Sequence, residues 1–308
     1  MMSLLTEKLR AVLPEERILV DEPLAAHTTF RIGGPADCFC TIESIEELQN
    51  AIHVAQELKI PWFILGRGSN LLVSDEGYRG LILHIGRGFE QVRIEGEMVT
   101  AQSGISLSAL GRIVLEHSLD GFSFAAGIPG SLGGAVYMNA GAYGGEMKDI
   151  LVSALVMDPE GRCFILSNEE MELGYRESIF QHRDWIVLEA TLKLTPGDRD
   201  KIEADMKDLM QRRSSKQPLE YPSAGSVFKR PPGHFAGGLI EEAGLKGCQI
   251  GGARISEKHA GFIINAGEAT AADVVALVRH AQDVVEQQSG VRLEPELKIL
   301  KDECLIRL

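Results

Sequence analysis

Apolar residues recur at helical spacing in some stretches of this chain and alternate in others. Residues 44–58 predict a helix: Ile45, Leu48, Ile52 and Ala55 share a face, Ser44 and Glu47 have capping-box spacing, and Pro61 follows the end. Residues 106–117, 200–213 and 271–287 predict further helices, the last opened by Thr270. Residues 1–20 read as a helix running into irregular chain. Strands are predicted at 62–65, 81–85, 91–94, 98–102, 152–157, 163–166, 185–194 and 297–300. Alternation is clearest in 185–194, where Ile186, Leu188, Ala190, Leu192 and Leu194 face one way and Glu189, Thr191 and Lys193 the other. A strand–helix–strand start followed by mainly β texture points to an α+β or α/β chain.

Length adds that a chain of 308 residues is too long for one small core, so two domains or three lobes are expected, with a boundary near helix 200–213. A formal net charge of −13 disfavours nucleic acid and anionic membrane surfaces, and serves solubility. Local Arg and Lys can still focus a small anion. The five cysteines are scattered, without a CxxC, and no His/Cys spacing suits zinc, so structural thiols and no metal are expected. The first residues are charged and amphipathic rather than signal-like, and no window is apolar enough to span a membrane. A cytoplasmic protein without membrane insertion is expected, and no protein partner is evident.

Glycine changes the picture, because many of the 33 glycines are clustered. Residues 66–77 (GRGSNLLVSDEG) directly follow a predicted strand, and residues 125–146 (AAGIPGSLGGAVYMNAGAYGGE) form a second glycine-rich run. Small residues let backbone amides approach phosphate oxygens, with Ser and Asn side chains assisting. Neither run has the spacing of a Rossmann fingerprint or a P-loop. Each alone also fits a pair of tight turns. Together they suggest a long ligand with a pyrophosphate in its middle.

Three pieces of the second half carry reactive groups: Arg176 in a polar turn, Ser226 among small residues, and Glu296 at the mouth of a strand. Taken singly they also fit a surface ion pair, a turn serine and a solvated carboxylate. The run AGSVF around Ser226 is not the G-x-S-x-G of a hydrolase.

At these residues the chain resembles the UDP-N-acetylenolpyruvoylglucosamine reductase (MurB) family. The resemblance lies in TTFRIGG (28–34), G-x-GSNLL (66–72), GIPGS-x-GGA-x-x-MNAGAYG (127–144), YR-x-S-x-F (175–180), AGSVFK (224–229), SEKHAGFI-x-N (256–265) and LEPE (293–296). These motifs stand in the family's order and cover nearly the whole chain. The resemblance implies a vanillyl-alcohol-oxidase-type FAD-binding fold of two α+β lobes with a C-terminal α+β substrate-binding domain. Residues 1–72 would form the first lobe, with the strand 298–308 returning to it. Residues 73–205 would form the second lobe and 206–297 the substrate domain. With no long Tyr-bearing insertion between Tyr175 and Trp185, the chain looks like the family's shorter branch.

The resemblance also implies non-covalent FAD, NADPH as electron donor, and UDP-N-acetylglucosamine enolpyruvate as substrate, reduced to UDP-N-acetylmuramate. Ser226 matches the proton donor, and Arg176 and Glu296 match the pair that stabilises the enolic intermediate. Glu296 must hold or share a proton to help. Cofactor contacts are expected from Gly66, Arg67, Gly68, Ser69, Asn70 and Leu71 in the first run. In the second they are expected from Gly127, Ile128, Pro129, Gly130, Ser131, Gly133, Gly134, Asn139, Gly141, Ala142 and Tyr143. Tyr175, Arg213, Lys216 and Lys229 are candidates for the substrate, the last three for its phosphates. Helix-end solvation and simple packing are the plainer alternatives. Lys258 and His259 fall in a matching motif without an assignable role. An oxidase of sugar lactones or alcohols with the same fold, and a flavin-binding module without catalysis, are the alternative readings.

Overall fold

Ser44 opens helix Ile45–Glu57 by accepting the Glu47 amide at 3.1 Å. Glu47 is used elsewhere than in a reciprocal box: it accepts the Glu43 amide at 2.8 Å and grips Arg17 at 2.6 Å. Burial pushes the Glu47 carboxyl up, but Arg17 and the Glu43 amide outweigh it and hold the group below the usual carboxylate range.

The computed structural model describes residues 2–302 and 304–306. Met1, Glu303, Arg307 and Leu308, which the predicted ranges 1–72 and 298–308 include, lie outside the described residues. The chain forms two compact units. The first is Met1–Leu19, Phe39–Arg67 and Ile82–Arg213; the second is Val20–Cys38, Gly68–Leu81 and Ser214–Leu308.

The first unit is built on a five-stranded antiparallel sheet in the order Cys163–Ser167, Leu151–Met157, Ile186–Lys193, Met98–Gln102, Val92–Glu95. Ala190 pairs with Ala101 and Leu192 with Val99, and all four side chains enter one apolar cluster. Leu110 and Val114 of helix Leu107–Glu116 and Leu132 and Val136 of helix Leu132–Tyr137 fill the same cluster. Each such buried aliphatic side chain contributes about 1.5–3 kcal/mol.

The second unit carries a four-stranded antiparallel sheet in the order Ser223–Ser226, Phe262–Asn265, Ala253–Ile255, Gln249–Ile250. Helix Ala271–Ser289 packs on it through Val274, Leu277, Val278, Ala281 and Val285, the stripe that its 3.6-residue period demands. Strand Lys298–Asp302 runs parallel to Leu71–Ile85, with Lys298 opposite Leu71 and Leu300 opposite Val73.

Several predicted elements need correction. Strand Leu71–Ile85 begins inside the first glycine-rich run, because Leu71 to Ser74 are all buried and need a paired backbone. The second run contains helix Leu132–Tyr137 and a hairpin of Gly141–Ala142 with Gly145–Glu146, elements too short to show a period. The polar RRSSK stretch continues helix Arg199–Lys216 rather than ending it. The irregular end of 1–20 lies in strand Ile18–Pro23, and beyond the predicted strand 297–300 the chain forms strand Cys304–Ile306, paired back on Lys298–Asp302.

Thr270 closes a true capping box with Asp273. The Thr270 amide holds the Asp273 carboxyl below its usual range against the opposing effect of burial, and the Gly252 amide and the Thr270 hydroxyl add to the lowering. A depressed folded-state value means stability that is present above the unfolded carboxylate value and lost as pH falls below it. Thr270→Ala should lower the free energy of urea unfolding by about 1 kcal/mol at neutral pH. Asp273→Asn should flatten the acid limb of stability, read from unfolding midpoints between neutral pH and about pH 3.

Candidate active site

In the first unit Gly66, which opens the first glycine-rich run, meets Ser131 of the second. A Cβ placed on Gly66 would lie 2.8 Å from Ser131 Oγ. Ser131 precedes helix Leu132–Tyr137, whose first amides are already committed: Leu132 N–H donates to Ile105 O at 2.9 Å and Gly133 N–H to Ser103 O at 2.8 Å. Gly133 is glycine because a Cβ there would meet Ser103 Cβ at 2.8 Å. The Ser103 hydroxyl is buried and has no hydrogen-bond partner among the described residues. Gly127 lies against Arg213, whose Cδ is 3.7 Å from its Cβ position. Arg213 is half-buried. Burial lowers its pKa, opposed by the nearby Tyr143.

Asn139 is fully buried in this unit, at φ 40°. Its amide donates to Gly174 O at 2.7 Å and Glu146 at 3.1 Å, and its oxygen accepts the Lys148 amide at 2.9 Å. These bonds tie the 141–146 hairpin to the turn that bears Arg176. The turn closes through reciprocal bonds between Gly174 and Glu177 at 3.0 and 3.2 Å. Arg176 sits in it at φ 56°, a conformation unfavourable for a long side chain. Its guanidinium donates to Gly141 O at 2.9 Å and lies 5.2 Å from the Tyr175 ring centre. Gln181 donates to the Arg176 carbonyl at 2.9 Å. The turn is therefore held from three sides.

In the second unit Ser226 ends strand Ser223–Ser226 and is exposed. Ser223 pairs with Ile264 and Ser226 with Phe262, and the register shift between them contains Gly225 at φ 78°. This bulge presents Ser226 outward. The next residue locks the strand: Val227 N–H donates to Gly261 O at 2.9 Å, and Val227 O accepts the Glu296 amide at 2.7 Å. Glu296 is thus hydrogen-bonded to the residue that directly follows Ser226. Asn70 donates to Glu296 O at 3.3 Å and accepts from the Lys298 amide at 3.2 Å.

The other candidates are distributed. Lys229 pairs with Glu294 at 2.6 Å, and Lys216 is an exposed helix-end residue. Lys258 donates to Ser214 O at 2.8 Å. His259 accepts the Gly261 amide at 3.1 Å on Nδ1 and lies edge-on to Phe262, with ring centres 5.0 Å apart. Burial pushes its pKa below the usual histidine value, with Lys246 and Lys216 adding to the effect and Glu241 opposing it. Among the described residues no cluster of His, Cys, Asp and Glu is arranged to hold a metal, and no helix is long and apolar enough to cross a membrane. The cysteines are free thiols, Cys38 and Cys40 buried.

Comparison with known proteins decides the family. The profile for the UDP-N-acetylenolpyruvoylglucosamine reductase C-terminal domain matches residues 217–300, and that for an FAD binding domain matches residues 36–167. A UDP-N-acetylenolpyruvoylglucosamine reductase of Caldanaerobacter subterraneus is 50% identical, over 98% of this chain and 100% of that protein. The chain belongs to the UDP-N-acetylenolpyruvoylglucosamine reductase family. The family's protein from Clostridioides difficile is 50% identical over 95% of this chain and 96% of its own length. The crystal structure of the family's reductase from Thermus caldophilus superposes with a TM-score of 0.79 at 36% identity, covering 92% of this chain and 97% of that one. The α+β class, with an FAD-binding domain ahead of a C-terminal domain, is as expected, and the protein is an FAD-dependent oxidoreductase.

Two residues of this reductase-family chain were not singled out in sequence. Ser103 became visible only through its contact with Gly133, though a Ser-Gly pair directly after strand Met98–Gln102 is a local signal. Thr29 stands within the TTFRIGG stretch, where nothing adjacent in sequence marks its role. Its hydroxyl donates to Ser223 O at 2.7 Å.

The meeting of Gly66 with Ser131 yields a prediction. Gly66→Ala should force the Ser131 side chain aside and weaken flavin retention by about tenfold, equivalent to about 1.4 kcal/mol. Gly238→Ala, in helix Ala236–Glu242, would meet only Phe235 Cβ at 3.7 Å, an ordinary contact, and should leave retention unchanged. The ratio of visible to ultraviolet absorbance after dialysis reads both.

Proposed function

We propose that this chain reduces the enolpyruvyl ether of UDP-N-acetylglucosamine enolpyruvate to UDP-N-acetylmuramate, with NADPH as electron donor, in the cytoplasmic synthesis of peptidoglycan precursors. Identity of about half across nearly the full length of family reductases supports the substrate class. The observation that carries the chemistry is the bond from the Glu296 amide to Val227 O, at 2.7 Å. It puts a carboxyl-bearing residue beside the strand that presents the Ser226 hydroxyl.

The residues of the first unit fit non-covalent FAD. Gly66 and Ser131 form a close-packed cradle, and the Ser103 hydroxyl is a buried group without a hydrogen-bond partner among the described residues. The small residues of both runs would hold the cofactor's phosphates. When bound, FAD supplies the two-electron chemistry that these side chains cannot.

The chain's own residues then manage charge and protons. Reduction of the enol ether leaves negative charge on the carbon next to the substrate carboxylate. Arg176, constrained in its turn, supplies fixed positive charge toward that carboxylate. Glu296, holding or sharing a proton, donates a hydrogen bond to the same developing anion. Ser226 transfers its hydroxyl proton to the carbon, a task for so weak an acid only when the carbanion is strongly basic. Tyr175, Arg213, Lys216 and Lys229 are the proposed substrate contacts. The salt bridge of Lys229 to Glu294 would open or be shared on binding. Lobes 1–72 with 298–308, 73–205 and 206–297 complete the reading. The pairing of Lys298–Asp302 with Leu71–Ile85 supports the return of the last strand.

An anaerobic visible spectrum tests the reading. The flavin absorbance should bleach with NADPH and return on adding the enolpyruvyl sugar nucleotide. Ser226→Ala should bleach normally and recover at least about a hundredfold more slowly, the range of general acid catalysis. Absorbance that bleaches but does not return in the wild-type protein would refute the substrate. Recovery at the normal rate in Ser226→Ala would refute the proton donor.

A further inference from the structure

We propose that Thr29 is a positioning residue for proton transfer by Ser226; the inference rests on the Ser226 reading above. Thr29 makes two bonds to different segments of the second unit. Its amide donates to Gly68 O at 3.2 Å, and its hydroxyl donates to Ser223 O at 2.7 Å, across 194 positions of sequence. Gly68 belongs to the first glycine-rich run, and Ser223 begins the strand that ends at Ser226.

The strand needs such an anchor. Between Ser223 and Ser226 the ladder slips its register, and Gly225 adopts φ 78° with nothing within 4 Å of its Cβ position. Ala224 anchors the inner side of the bulge in the core, and the side that carries Gly225 and Ser226 takes its direction from the two ends of the segment. Downstream, Val227 is held by Gly261 O at 2.9 Å and by the Glu296 amide at 2.7 Å. Upstream, Pro222 O accepts the Asn265 amide at 2.9 Å, and Ser223 O accepts the Thr29 hydroxyl. The circuit closes through Asn70, which donates to Glu296 O at 3.3 Å and accepts from Lys298 at 3.2 Å. Gly68 and Asn70, two residues apart, therefore hold both ends of the Ser226 segment, and Thr29 is the upstream link.

The neighbouring Thr28 shows the contrast. Its hydroxyl donates to Ile32 O at 3.3 Å and serves its own turn. The Thr29 hydroxyl serves a strand elsewhere. Valine keeps the shape of Thr29 and its amide bond but removes the donor to Ser223 O. The bulge can then shift, and a displacement of about 1 Å is enough to cost up to about a hundredfold in a positioned reaction.

The test compares Thr29→Val, Thr29→Ser and Ser226→Ala holoenzymes by anaerobic stopped-flow spectroscopy of each half-reaction. Thr29→Val should be reduced by NADPH within about twofold of the wild-type rate, yet be re-oxidised by the enolpyruvyl sugar nucleotide roughly tenfold or more slowly. Its solvent deuterium isotope effect on re-oxidation should rise, because proton transfer becomes limiting. Thr29→Ser, which keeps the hydroxyl, should restore the rate. Normal re-oxidation in Thr29→Val while Ser226→Ala is slow would overturn the role of Thr29 alone. Equal slowing of both half-reactions in Thr29→Val, with an unchanged isotope effect, would make Thr29 merely structural and overturn it too. Normal re-oxidation in Ser226→Ala would overturn the underlying reading, and the inference with it.

Discussion

Backbone packs directly on backbone where residues 27–35 meet residues 68–77 in the second unit. A Cβ on Gly68 would lie 2.3 Å from His27 O, and one on Gly77 1.9 Å from Pro35 O. No side chain fits at either place, so the two segments lie closer than any other residue type would allow. That approach brings the Thr29 amide to Gly68 O and the Gly34 amide to Ser74 O. The Asp75 carboxylate on the same segment accepts the Ala271 and Ala272 amides, at 2.7 and 3.0 Å, and so caps the helix that backs the four-stranded sheet. The contact is tied through Thr29 to strand Ser223–Ser226 and through Asp75 to the helix behind its sheet.

The first unit solves a different problem, that of holding a cation in a rigid and unfavourable pose. Asn139 is wholly buried, and its amide and carbonyl are occupied by Gly174, Glu146 and Lys148. A fully satisfied buried amide rigidifies its surroundings, whereas a half-satisfied one would destabilise them. The Gly174–Glu177 turn that it supports carries Arg176 at positive φ. The cost of that conformation is borne by the turn bonds and by the donation to Gly141 O. A guanidinium so restrained loses little further freedom when it meets an anion.

Much of the framework was legible because its causes are local. Ser44, Ser106 and Thr270 cap helices where hydroxyl residues precede apolar periods. The alternating run around Ile186–Lys193 is a central strand, paired on both edges. The glycine-rich runs were less legible. Helix Leu132–Tyr137 spans fewer than two turns, too few for a period to register, and Leu71–Ser74 is buried on both faces, which erases alternation. The basic stretch through Lys216 is helical although it has almost no apolar face, so nothing in its pattern marked where the helix would stop.

By itself the sequence determined the family, the reactive residue types and the elements whose signals lie within a few positions of one another. Arg176, Ser226 and Glu296 stand in motifs that chance spacing does not produce. Tertiary structure alone decided which residues hold them. Nothing near Thr29 announces Ser223, and nothing near Asn139 announces Gly174, because each bond joins a side chain to a distant backbone carbonyl. Every non-proline residue offers the same amide and every residue the same carbonyl, so such a bond leaves no mark in the identity of the residue that accepts it. The direction of Ser226 likewise depends on a bulge whose two ends are fixed by chain far away in sequence.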